Sequence, residues 1–215
     1  MPRPVGRLHV LTDQVLQKRY SHLELARLAV AGGADTIQLR QKTGSTREMI
    51  DTARAMRQLC DQAGVVFIVN DRVDVALAAG AHGVHLGQDD FPLPLARQLL
   101  GPSAILGGSA SSLKEARKCL AEGADYLGFG PVFATTSKDD AGPASGLALL
   151  ARVVKEIALP VVAIGGINAG NAPQVMAAGA HGVAVISAVV CQEDPRAAAR
   201  ALDQALGYPA GGGHA

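Results

Sequence analysis

Aromatic side chains are scarce in this 215-residue chain, with no tryptophan, three tyrosines and four phenylalanines. Single-stranded nucleic acid is gripped by stacked aromatics, and duplexes by a basic stripe. Neither is present: 20 Lys plus Arg stand against 19 Asp plus Glu, for a net charge of +1, without a long run of either sign. Cysteine is as sparse. Cys60, Cys119 and Cys191 are odd in number, far apart and free of any C-x-x-C pair, so a disulfide framework or zinc site finds no support. They read as small buried hydrophobes in a reducing compartment. The longest apolar runs are strand-sized, well short of the about 20 residues of a membrane span. The N-terminal MPRPVGR lacks the apolar core of a signal peptide, so the expectation is a cytoplasmic protein. What is abundant is hydrophobic residue, 48% against 18% charged, enough for one large core in a chain of barrel size.

Short β-rich runs alternate with helical patterns throughout. Strands are expected at 8–12, 35–40, 65–70, 83–87, 104–108, 125–130, 160–166 and 182–187, separated by 3.6-period segments such as SHLELARLAVAGG and SSLKEARKCLAEG. Ser111 or Ser112 is placed to cap the latter helix, with Glu115 as the reciprocal partner of a capping box. A short repeat recurs before every second strand: AGGADTIQL, AAGAHGVHL, AEGADYLGF and AAGAHGVAV. Its glycine suits a helix C-terminal cap, after which the chain drops into the sheet. Strict alternation implies a parallel sheet, and eight units close it into an α/β fold, a (β/α)8 TIM barrel of one domain over residues 1–206. A doubly wound open sheet would not predict the twofold alternation, and no G-x-G-x-x-G follows the first strand. The tail at 207–215 is expected to be disordered.

In such a barrel the active site is built from loops after the strands' C-terminal ends, so unusual polar residues should gather there. They do. Gln38, Arg40 and Lys42 share one face after strand two, two cations that suit a phosphate or pyrophosphate clamp unless each pairs with a neighbouring acid. Asn70-Asp71-Arg72 follows strand three and Gln88-Asp89-Asp90 follows strand four. Hard oxygen ligands beside a phosphate clamp suit Mg2+; the plainer reading makes Asp71 a helix cap and Asp90 a turn residue. Ser109 follows a glycine pair after strand five, without a His/Asp partner for triad chemistry. A long polar loop from Phe133 to Gly146 carries Thr135, Thr136, Ser137 and Lys138, and has the length of a functional lid. Gly165-Gly166 and Ile186-Ser187 close strands seven and eight, where this fold recurrently holds phosphate. His85 is expected inside strand four, either packed in the core or touching substrate.

Together QLRQK, FIVNDRVDVALAAGAHGVHLGQDD, GADYLGFGPVFATTSK, PVVAIGGI and GVAVISA resemble the thiamine-phosphate synthase (thiamine-phosphate pyrophosphorylase) family, over residues 8 to 206. The resemblance implies a transferase that joins a hydroxymethylpyrimidine pyrophosphate to a hydroxyethylthiazole phosphate, releasing pyrophosphate. It implies that the segment Gln38, Leu39, Arg40, Gln41 and Lys42, with Asn70, holds the pyrimidine pyrophosphate, and that Asp71 and Asp90 ligate Mg2+. Ser109 and Lys138 would also touch the pyrophosphate, with Arg40, Lys42, Ser109 and Lys138 acting on the leaving group. Thr135, Thr136, Ser137, Gly166, Ile186 and Ser187 would bind the thiazole phosphate. The implied partners are small molecules, with neither nucleic acid nor membrane, in a chain open to homo-oligomer formation. Ser137 stands where the family usually has Thr, and Ala134 and Thr136 replace its usual prolines. Two alternatives remain beside the synthase: a thiazole tautomerase and a non-catalytic phosphate-ligand barrel. Tautomerase relatives carry a histidine where this chain has Ser111 and tend to lack the metal aspartates, so both differences favour the synthase.

Overall fold

The computed structural model describes residues 4–137 and 142–207. Eight parallel strands, β1 (Leu8–Thr12), β2 (Thr36–Leu39), β3 (Val66–Asn70), β4 (Gly83–Leu86), β5 (Ile105–Ala110), β6 (Tyr126–Phe129), β7 (Val161–Ile164) and β8 (Gly182–Val185), close in sequence order into one barrel. Helices α1 (His22–Ala31), α2 (Thr46–Ala63), α3 (Val73–Ala79), α4 (Leu93–Leu100), α5 (Leu113–Ala121), α6 (Gly146–Glu156) and α7 (Ala172–Ala177) return the chain between strands. The last unit carries two helices, α8 (Ser187–Val190) and α9 (Pro195–Leu206), where the sequence pattern suggested one. The (β/α)8 barrel expected from alternation is the observed fold.

Local chemistry sets the helix ends. Ser21 and Ser45 open α1 and α2 with full capping boxes to Glu24 and Glu48. At α5 the expected box is split between two serines. Ser112 accepts from Glu115 N, while Glu115 Oε2 accepts from Ser111 N at 2.7 Å. The repeat's glycines, Gly33, Gly80, Gly123 and Gly179, all take positive φ. The next-but-one residue of each copy then stitches the barrel floor. Asp35 accepts from Arg7 N and Leu8 N, His82 Nδ1 from Phe67 N, and Asp125 Oδ2 from Leu106 N, while His181 Nε2 donates to Val5 O. The repeat is therefore a pinning device between neighbouring strands as well as a helix stop.

Period-two alternation divides each strand. Val10, Ile37, Leu39, Val84, Leu86, Leu127 and Phe129 are buried between sheet and helices. The opposite positions line the interior, and several are polar: His9, Gln38, Asn70, His85, Ser109 and Tyr126. His9 Nε2–H donates to Gly6 O at 3.0 Å, and burial pushes its pKa down to about 3, so the floor histidine is neutral. Cys60 and Cys119 are buried as expected; Cys191, expected to be buried as well, is exposed at the C-terminal end of the extra helix α8.

Candidate active site

A cavity of about 980 Å³ opens over the C-terminal ends of the strands. Its wall takes Lys42 after β2, Asn70 at the end of β3 with Asp71 just after it, Gly87 to Asp90 after β4, and Ser109 near the end of β5. Thr135, Thr136, Ser137, Gly166, Ile186 and Ser187 complete the other side. Side chains from loops far apart in sequence thus converge as the barrel rule requires.

The acidic corner is built by two turns. Asp71 holds φ 64, left-handed for a residue other than glycine, with its N–H bonded to His85 O at 2.9 Å. Such a conformation costs free energy and persists only where surrounding structure fixes it. Asp71 caps nothing: α3 begins after Arg72, which makes no side-chain cap, and Arg72 pairs with Asp74 instead. Asp90 Oδ2 accepts from Gly87 N at 2.6 Å, which turns its carboxyl back toward Asp71. Both carboxyls face the same cavity. Burial first, and the neighbouring Asp71 charge after it, hold the Asp90 carboxyl above the usual range despite the bond from Gly87. Lys42 Nζ lies 2.5 Å from Asp71 Oδ2.

The two cations on the β2 face each find an acid, as the plainer alternative for them held. Arg40 Nη1 donates to Asp13 Oδ2, and Asp13, fully buried, also accepts from Val15 N and Leu16 N at 2.7 and 3.0 Å. Arg40 stands off the main cavity's wall, and its Nε is buried without a partner. Gln38 lines the smaller pocket beneath, with Oε1 likewise buried and unpartnered. Leu39 is core, and Gln41 Nε2 donates to Thr43 O within its own loop. Asp13 escaped the sequence reading, although it directly follows β1 and the same rim rule would have flagged it.

Ser109 is held from three directions. Its Oγ lies 2.9 Å from His85 Nε2, and its carbonyl accepts from Gln88 Nε2 at 2.6 Å and from Cys119 Sγ at 3.5 Å. His85 Nδ1 in turn lies 2.9 Å from Tyr126 Oη. His85 lines the smaller pocket at the barrel floor, with both ring nitrogens in hydrogen-bond contact. Tyr126 gave no sequence signal, being one aromatic within an apolar strand. Across the cavity Ser137 Oγ and Ser187 Oγ are 2.9 Å apart, and Thr135 Oγ1 accepts from Ser137 N at 3.2 Å. Gly165 and Gly166 have φ 98 and 64 and pack against Pro131 and Phe133, so a side chain at either would clash. Lys138, Asp139 and Asp140 lie outside the described residues, as does the tail beyond residue 207.

A family model described as "Thiamine monophosphate synthase" matches residues 8–189. The chain belongs to this family. A thiamine-phosphate synthase of Methanocella arvoryzae is 56% identical over 195 residues, covering 91% of this chain and 92% of the relative. One of Methanoculleus marisnigri is 53% identical over 195 residues, with the same coverage of 91% and 92%. The solved structure of thiamine phosphate pyrophosphorylase from Pyrococcus furiosus superposes with a TM-score of 0.86 at 44% identity, covering 93% of this chain and 95% of that one. The matched residues span all eight strands, β1 to β8. No described helix is long and apolar enough to cross a membrane.

Proposed function

We propose that the enzyme condenses 4-amino-5-hydroxymethyl-2-methylpyrimidine pyrophosphate with hydroxyethylthiazole phosphate, forming thiamine phosphate and pyrophosphate at this rim. The observation that carries the site assignment is the convergence of Asp71 and Asp90 on one cavity wall beside Lys42, which pairs with Asp71. Two acids on one wall, one of them resisting ionisation, form a niche that a divalent cation would relieve. Among the described residues no third His, Cys, Asp or Glu joins them, so a cation there would keep places for pyrophosphate oxygens and water. That donor set fits Mg2+, with Asp71 and Asp90 as its protein ligands. When bound, Mg2+ supplies Lewis-acid neutralisation of the charge that grows on the leaving pyrophosphate.

The chain's own groups do the rest. Lys42, Ser109 and Lys138 hold the pyrophosphate through charge and hydrogen bonds. Arg40, beyond the donor it gives Asp13, has further N–H groups to turn toward the same anion. Gln38 and Asn70, from the pocket floor, orient the pyrimidine ring, with the unpartnered Gln38 Oε1 an acceptor awaiting a donor. Leu39 and Gln41 shape this segment from behind. Thr135, Thr136, Ser137 and Ser187, with the backbone at Gly166 and Ile186, bind the thiazole phosphate. The bond from the pyrimidine methylene to pyrophosphate oxygen breaks, and the thiazole nitrogen's lone pair makes the new C–N bond. That lone pair is already free, so no general base is required. Holding both substrates in contact and excluding water supply the remaining advantage.

The test is pyrophosphate release with both substrates present, assayed with Mg2+ and after its removal by chelation. Release that depends on Mg2+ is expected, and Asp71→Ala should lower kcat/KM by about a thousandfold, on the scale of several kcal/mol for a Lewis-acid contribution. Near-wild-type turnover in that variant sinks the metal assignment. Isomerised thiazole without pyrophosphate would identify a tautomerase instead.

A further inference from the structure

Tyr126, His85 and Ser109 form a chain across the barrel floor, and the first two have no part in the reaction as described. His85 on β4 and Tyr126 on β6 are separated by β5, yet Nδ1 and Oη are 2.9 Å apart. They meet because the residue between them in the ladder is glycine: His85 is in register with Gly107, and Gly107 with Tyr126. A Cβ at Gly107 would lie 2.3 Å from both His85 Nδ1 and Tyr126 Cζ. Gly128, in register with Ser109, clears the other ring edge, where a Cβ would fall 2.8 Å from His85 Cε1. Glycine weakens a strand, so two at this one place mark a close approach of something else. That something is the imidazole and phenol pair.

The pair has a direction. Tyr126 is buried, and its hydroxyl has His85 Nδ1 as its hydrogen-bond partner among the described residues. A buried O–H left without an acceptor is costly, so this hydrogen points at Nδ1, which must then be unprotonated. The neutral imidazole therefore carries its proton on Nε2, which donates to Ser109 Oγ at 2.9 Å. With that oxygen accepting from His85, the Ser109 hydrogen is left to point elsewhere, and Ser109 lines the main cavity. Were the tautomer reversed, Ser109 would donate backwards into Nε2 and offer the cavity lone pairs, the wrong polarity for an anion.

We infer that Tyr126 is a positioning residue which, through His85, fixes the Ser109 hydroxyl as a hydrogen-bond donor aimed into the cavity, toward the anionic pyrophosphate substrate. The inference rests on Ser109 being a pyrophosphate contact, and its two halves are separable by experiment. Long-range 1H–15N correlation spectra of the ligand-free enzyme above neutral pH, with the His85 signals assigned by their loss in His85→Gln, read the tautomer directly. A single Nε2–H form is expected in the wild type and a mixture of forms in Tyr126→Phe. In the same variant the KM for the pyrimidine pyrophosphate should rise about tenfold, the worth of one hydrogen bond to a charged group, while the KM for the thiazole phosphate stays put. An Nδ1–H form in the wild-type spectrum overturns the relay, and that measurement needs no variant to fold. An unchanged pyrophosphate-substrate KM in Ser109→Ala, with the wild-type tautomer as expected, overturns instead the role of Ser109 and the functional half of the inference with it.

Discussion

Ser187 is a residue whose environment can be read as a binding preference. Its Oγ lies 2.9 Å from Ser137 Oγ at the cavity wall, so that of the two hydroxyls one O–H bonds the other oxygen and one is left to donate outward. Such a spot favours a phosphate and penalises a second negative charge. Ser187→Glu is therefore expected to raise the KM for thiazole phosphate by at least about tenfold, since like charges a few ångströms apart repel by several kcal/mol near a protein surface. The KM for the pyrimidine substrate, proposed to bind across the cavity, should move little. Steady-state kinetics with each substrate varied in turn checks both, and an unaltered thiazole phosphate KM would move this subsite elsewhere. At the same scale, Asp71 and Asp90 illustrate how far residue identity goes. Their type suggested hard-cation ligands, but the left-handed backbone of Asp71 and the Gly87 bond that turns Asp90 come from the turns around them.

At the scale of elements, α2 shows what a cap contributes. Ser45 Oγ accepts from Glu48 N at 3.2 Å, and Glu48 Oε2 accepts from Ser45 N at 2.7 Å, satisfying two N–H groups that the first turn leaves unpaired. Ser45→Ala should cost about 1 kcal/mol of folding free energy, visible as a fall of a few degrees in Tm, with kcat unchanged. Denaturant melts and a rate assay on the same preparation test this; a fall in kcat would tie α2 to the β2 rim more closely than its cap suggests. The S-x-x-E pattern made these caps legible in advance. At α5 the pattern placed the cap at Ser112, one of the two serines it offered, but the reciprocal bond to Glu115 comes from Ser111 N, so the two serines divide the bonds that one serine makes at α1 and α2. The fourfold repeat was legible as a helix stop. Its second task, tying Asp35, His82, Asp125 and His181 to backbone of neighbouring elements, was not, since that needs the barrel closed.

For the whole molecule, the polar floor makes stability depend on pH. His9 has its pKa lowered from 6.5 to about 3, chiefly by burial. The folded state thus binds this proton less readily than the unfolded chain. The stabilisation is fully present above the unfolded pKa and is lost as pH falls from there toward the folded value. His22, lowered to about 4 by burial, acts in the same sense. Between about pH 7 and about pH 5, His9 alone should remove about 2 kcal/mol of unfolding free energy. Asp35, raised by burial, works in the opposite direction, so the contribution of His9 is best read as a difference. Urea unfolding of wild type and His9→Gln at both pH values should show a flatter dependence in the variant; parallel curves would mean that the floor histidine titrates normally.

Periodicity and punctuation, both local properties of the chain, were enough to determine eight strand-helix units, their parallel order and the rim on which chemistry gathers. Residue types after the strands marked Asp71, Asp90, Lys42, Ser109 and Ser187, and the motifs they sit in carried the family. Pairing was decided only by the closed barrel. Arg40 turned to Asp13 and Lys42 to Asp71, a strand glycine let His85 reach Tyr126 across β5, and Cys191 came to the surface behind a short extra helix. The three pairings depend on which side chains meet through space over separations of tens of residues, and a pattern read along the chain has no term for that distance.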